Sequence, residues 1–143
     1  MLPVSPFLIK AMPIQLINAP GMPVPAGHYS HATRAGNLLC VSGQLPIRPD
    51  GTHTGDLPFS IQAEQALGNL RSVLQAAGAG FKDVIDVTVY LVGADHWGAF
   101  NEIYARHFGE WKPARAVVPV AALHYGYLLE ISARAWLEDA PSA

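Results

Sequence analysis

A chain of 143 residues, half of them hydrophobic and only 14% charged, has the apolar mass for a packed core, which argues against disorder. Its formal net charge of −2 supplies no basic field for a phosphate backbone, which counts against nucleic acid as the main partner. The lone Cys40 excludes an internal disulfide, and no run reaches the ~18 apolar residues of a membrane helix, so the chain reads as cytoplasmic.

The charged fraction lies below the usual quarter or so of residues in a globular chain, which hints at subunit interfaces. Residues 1–11 are apolar but broken by prolines; they read as an N-terminal extension rather than a signal peptide, with Met12 an alternative start. Residues 12–143 read as a single domain. A strand is expected over Leu38 to Val41, followed by Ser42-Gly43 and a Pro49-Asp50-Gly51 turn. Ser60 is a natural N-cap for a helix whose stripe is Ala63, Ala66, Leu67, Leu70, Val73, Leu74 and Ala77, stopped by Gly78 and Gly80. The run "DVIDVTVYLV" alternates, with Ile85, Val87, Val89 and Leu91 on one face and Asp86, Thr88 and Tyr90 on the other.

Asp95 is placed to cap a second helix carrying Trp97, Phe100, Ile103, Tyr104 and Phe108 on its core side. A Glu102 to Arg106 pair lies on another face, and Gly109 ends the helix. Two strands follow, Ala114 to Leu123 and Tyr127 to Leu137, parted by a "HYG" link short enough for a hairpin. In the second, Leu129, Ile131, Ala133, Ala135 and Leu137 share one face. The order predicts an α+β sheet with both helices on one side. The other side, with Thr88, Tyr90, Glu130, Ser132 and Trp136, suits an oligomer interface holding a site.

Common catalytic motifs are missing. Ser42 stands in "VSGQ", not in G-x-S-x-G, and "GAGFKD" is no phosphate loop. His28 and His31 have no nearby cysteine or carboxylate to complete a metal site. What remains is Ser42, Arg115 and Glu130 on otherwise apolar strands. Arg115 and Glu130 admit two readings: an ion pair across a hairpin, or a site. Burying a pair is not reliably stabilising. A guanidinium fork matches a carboxylate with two parallel hydrogen bonds, and a glutamate nearby can position a water or shuttle a proton.

Four segments, "AGNLLCVSGQLPIRPDG", "QALGNLRSVLQAAGAGFKDVIDVTVYLV", "FNEIYARHFGEWKPARAVVPVAAL" and "YLLEISARAW", together resemble the reactive-intermediate deaminase family, RidA/YjgF. The resemblance implies a chorismate-mutase-like mixed β-sheet with two helices on one face, assembled as a homotrimer with sites between subunits. It implies hydrolysis of 2-imino or enamino acids to 2-keto acids and ammonia, with no cofactor and no metal. Arg115 falls on the carboxylate-binding arginine and Glu130 on the glutamate that holds the hydrolytic water. Tyr29, Ser42, Gly43 and Asn101 fall on substrate-binding positions. Val117 replaces a frequent cysteine whose proposed role is a main-chain contact, which valine keeps. Trp111, His124, Tyr125 and Tyr127 depart from the family pattern and bear on which acid fits. Other readings are a 2-aminomuconate deaminase-type enzyme, a non-catalytic ligand-binding or chaperone-like module, and an RNA-acting endoribonuclease.

Overall fold

The computed structural model describes residues 13–138; the expectations for residues 1–11 and Met12 lie outside them. Six strands and two helices follow one another: β1 (Gln15–Ile17), β2 (Ala32–Ala35), β3 (Leu38–Gln44), α1 (Phe59–Ala76), β4 (Val84–Val92), α2 (Trp97–Phe108), β5 (Ala114–Val120) and β6 (Leu129–Trp136). They form one sheet in the order β1-β2-β3-β6-β4-β5, parallel only between β4 and β5. Both helices cover one face, and the α+β expectation holds. β1 and β2, three and four residues long, are too short to show a period in the sequence.

The core follows the predicted stripes, apart from Ile85 and Trp97. Ala63, Ala66, Leu67, Leu70, Val73 and Leu74 of α1 are buried against Val87, Val89 and Leu91 of β4 and Leu129, Ile131, Ala133 and Ala135 of β6. Full burial of a leucine is worth about 1.5–3 kcal/mol, so this contiguous cluster supplies the main driving force. Two buried amides stitch loops to α1. Gln62 donates to the carbonyls of Leu57 (2.9 Å) and Gly55 (3.2 Å) and accepts from the Leu128 N–H (2.9 Å). Asn69 donates to the carbonyls of Leu45 (2.9 Å) and Ile47 (2.8 Å).

Several local expectations are corrected. α1 begins at Phe59 behind Pro58, and no side chain caps it; Ser60 lies in its first turn. The fixed φ of proline already presets that entry. Asp95 sits in the 3₁₀ turn Ala94–His96 ahead of α2, and Trp97, the first residue of α2, is 48% exposed rather than in the core. Arg106 reaches across to Glu64 of α1 (3.2 Å) instead of pairing with Glu102. The register slips between Val84 and Asp86, so Val84 is buried and Ile85 turns outward. Ser42 and Gly43 belong to β3, inside an irregularity between Val41 and Gln44.

The largest correction is to the predicted hairpin. β5 and β6 do not pair; β4 lies between them. Pro119 fits the edge place that β5 takes, because a residue with no N–H cannot serve a central ladder. β6, whose alternate residues are all buried, takes the interior place.

Candidate functional site

Residues opposite one another on neighbouring strands share a face of the sheet. Arg115 pairs with Val87, and Val117 with Val89, so both point to the helix side. Glu130 pairs with Tyr90 and points to the open side. The two charges thus stand on opposite faces, two strands or about 10 Å apart, and an internal ion pair is ruled out. The sequence-derived residues fall into two groups.

The first group surrounds Arg115. Its Nη2 donates to Asn101 Oδ1 on α2 at 3.0 Å. Its guanidinium carbon lies 4.7 Å from the ring centre of Tyr104 and 5.9 Å from those of Phe100 and Trp97. An aromatic floor of this kind holds a cation by the ring quadrupole while leaving the edge of its fork open. Among the described residues Arg115 has no acidic partner within ion-pair distance. Trp111, its ring N–H given to the Val84 carbonyl at 2.8 Å, and Lys112 share with Arg115 and Asn101 a depression of about 450 Å³. The Tyr104 hydroxyl is buried with no hydrogen-bond partner among the described residues, and burial pushes its pKa up to about 12 despite the Arg115 charge.

In the second group, Ser42 is held on both sides by the loop before β2. Its N–H donates to the His31 carbonyl (2.9 Å) and its hydroxyl to the Ser30 carbonyl (2.6 Å). His31 anchors that loop in turn: the Ala19 N–H donates to its Nδ1 at 3.0 Å, and its Nε2 meets the Pro23 carbonyl at 3.0 Å. The loop presents Tyr29, half exposed, to a pocket of about 210 Å³ shared with Gly43, His53 and Tyr125. Gly43 has a steric reason to be glycine. A Cβ there would overlap Glu130 Oε1 and stand 2.9 Å from its Cδ, so the carboxylate lies against bare backbone.

Glu130 is half-buried. Burial raises its pKa above the ordinary glutamate value, and His124 partly offsets the rise. A carboxyl so placed exchanges protons nearer neutrality than a solvated one. Among the described residues no three histidine, cysteine or acidic side chains gather into a metal-binding group, and no helix is long and apolar enough to cross a membrane.

The sequence places Tyr104 on the core side of α2 and assigns no role to His53. The hydroxyl of Tyr104 on an apolar stripe, three residues after Asn101, was the available signal for the first. For His53 there was none, because its partner Tyr127 is 74 residues away.

The family described as Endoribonuclease L-PSP matches residues 19–137. A RutC family protein of Pyrococcus horikoshii is 42% identical over 127 residues, covering 87% of this chain and 98% of its own. The crystal structure of RidA from an Antarctic Psychrobacter superposes with a TM-score of 0.81 at 34% identity, over 86% of this chain and 99% of that one. Escherichia coli TdcF with bound serine gives 0.81 at 30% identity, over 87% and 99%.

Proposed function

This chain belongs to the RidA/YjgF family, the family described as Endoribonuclease L-PSP, and on that premise we propose that it hydrolyses 2-imino or enamino acids to 2-keto acids and ammonia. The observation that carries the reading is Arg115: a permanent cation on an apolar strand, braced by neutral Asn101 and the Tyr104 ring, with no acid beside it among the described residues. Such a group is suited to the carboxylate of a small ligand. A relative of known structure, TdcF, has serine bound, itself a small carboxylate.

In this reading Arg115 holds the substrate carboxylate and Asn101 keeps the fork aligned. Glu130 takes a proton from water as its oxygen attacks the carbon of the protonated imine, giving a neutral carbinolamine. It then returns that proton to the amine nitrogen; as the C–N bond breaks and ammonia leaves, the hydroxyl proton passes to the Glu130 carboxylate and the carbonyl forms. Tyr29, the Ser42-Gly43 backbone and the main chain at Val117 line the substrate. Imine hydrolysis proceeds slowly in water, so positioning and preorganised charge suffice and no cofactor is invoked.

Because Arg115 and Glu130 occupy opposite faces, one protomer does not bring them to one ligand. We take the site to be shared between copies of a homotrimer. The exposed apolar side chains on the open face and edge, Ile85, Val118 and Trp136, support that assembly.

The test is release of keto acid and ammonia from imino acids generated in situ by a flavin amino-acid oxidase. Arg115→Ala is expected to lower kcat/KM at least about 30-fold, the cost of removing one partner of a hydrogen-bonded charge pair. Unchanged turnover in that variant, or none by the native protein on short, branched and aromatic imino acids, would refute the reading. Cleavage of a synthetic RNA, run in parallel, separates the endoribonuclease alternative.

A further inference from the structure

The pocket beside Glu130 has a wall that the deamination chemistry does not require. His53 Nδ1 and the Tyr127 hydroxyl are 2.6 Å apart, which fixes the imidazole. The Tyr125 ring lies 4.5 Å from the His53 ring, tilted by 35°. Tyr127 is buried, but Tyr125 is 60% exposed at the pocket rim, so packing does not account for its position.

The backbone supports the same conclusion. Tyr125, with φ of 59°, is the one non-glycine among the described residues in the left-handed region, a conformation that costs of order 1–3 kcal/mol and is found where surroundings over-determine it. A Cβ at Gly55 would stand 2.8 Å from the Tyr125 carbonyl oxygen, so glycine there lets the two segments close up. The free space, about 210 Å³, exceeds the roughly 150 Å³ of an apolar cavity known to take up benzene.

We propose that this pocket receives a planar, unsaturated or aromatic side chain, so that the preferred substrates are 2-imino acids bearing such a group, selected by His53 and Tyr125. The inference rests on the deamination reading for its chemistry and on the pocket for its specificity. Offset or edge contacts with flat groups favour such a ring over an aliphatic chain of equal size.

Two readouts separate the claims. In the first, imino acids generated from phenylalanine and from leucine are compared by kcat/KM, with a preference of about tenfold for the aromatic one expected. In the second, binding of the stable products phenylpyruvate and 4-methyl-2-oxopentanoate is measured by calorimetry, with the same order expected. Tyr125→Asn, which tolerates the left-handed turn but has no ring, should collapse both ratios toward one; Tyr125→Phe should retain them. Equal or inverted ratios in the native protein overturn the proposal even if deamination is robust. Selective phenylpyruvate binding without turnover upholds the pocket and sinks the deaminase reading instead.

Discussion

Glu130 and Gly43 act as a unit. Burial raises the Glu130 pKa, and the carboxylate lies against the bare Gly43 backbone. In the proposed reaction Glu130 acts as a base in its carboxylate form, so kcat/KM should climb as pH rises through that raised value and level off above it. The acidic limb is therefore expected above the usual glutamate range near 4.3. Gly43→Ala would push the carboxylate away from its niche, so turnover should fall about tenfold or more and the limb should move toward the ordinary value. A pH profile unmoved by Gly43→Ala would show that the contact sets nothing. The stability sign is opposite. Since folding disfavours the charged form, the penalty is absent below the unfolded pKa and complete above the folded one. Glu130→Gln should accordingly melt no lower than the native protein at neutral pH.

At the scale of elements, α1 and α2 meet through two kinds of contact with unequal weight. On the surface, Glu64 accepts from Arg106 at 3.2 Å and meets His107 Nε2 at 2.6 Å, while Arg71 lies 3.1 Å from His107 Nδ1. The His107 contact, first, and then Arg106 hold the Glu64 pKa below its ordinary value. Whatever stability this gives is present above the unfolded pKa and fades as pH falls through the lowered one. Glu64 is largely solvated, and exposed pairs are worth at most about 1 kcal/mol. Beneath it, Leu70 is wholly buried. Denaturant titration should show Glu64→Ala costing under about 1 kcal/mol and Leu70→Ala about 2–5 kcal/mol; a reversed order would mean that the surface clip, not the core, joins the helices. The same elements show what was legible. The body of α1 is legible because apolar positions from Ala63 to Leu74 repeat at helical spacing, although its cap is not Ser60. The start of α2 was misread because Asp95 and Trp97 look like a cap and a core residue, while the turn ahead of the helix swings both outward.

For the whole molecule, the arrangement of charges makes a statement about assembly. If each site takes Arg115 from one protomer and Glu130 from another, then Arg115→Ala and Glu130→Gln chains, inactive alone, should complement when unfolded together and refolded. Random mixing into a cyclic trimer would regenerate about a quarter of the native sites. No recovery, or a stable monomer by light scattering at micromolar concentration, would refute the shared site. The sequence by itself determined the helical stripe, the alternating faces of β4 and β6, the α+β class and the residues bearing unusual chemistry, because these follow from local periodicity and from charges set among apolar neighbours. Only the tertiary structure decided the strand order, and with it the relation between Arg115 and Glu130. Pairing between strands is governed by burial and by ladder hydrogen bonds over the whole sheet, so the short "HYG" link did not make β5 and β6 neighbours. β5, with its edge-compatible Pro119, lies outside, and β4 stands between it and β6. That one fact puts Arg115 and Glu130 on opposite faces of the sheet instead of in a salt bridge, and the same long-range packing joins His53 to Tyr127 and Tyr125 in a wall that no local pattern announced.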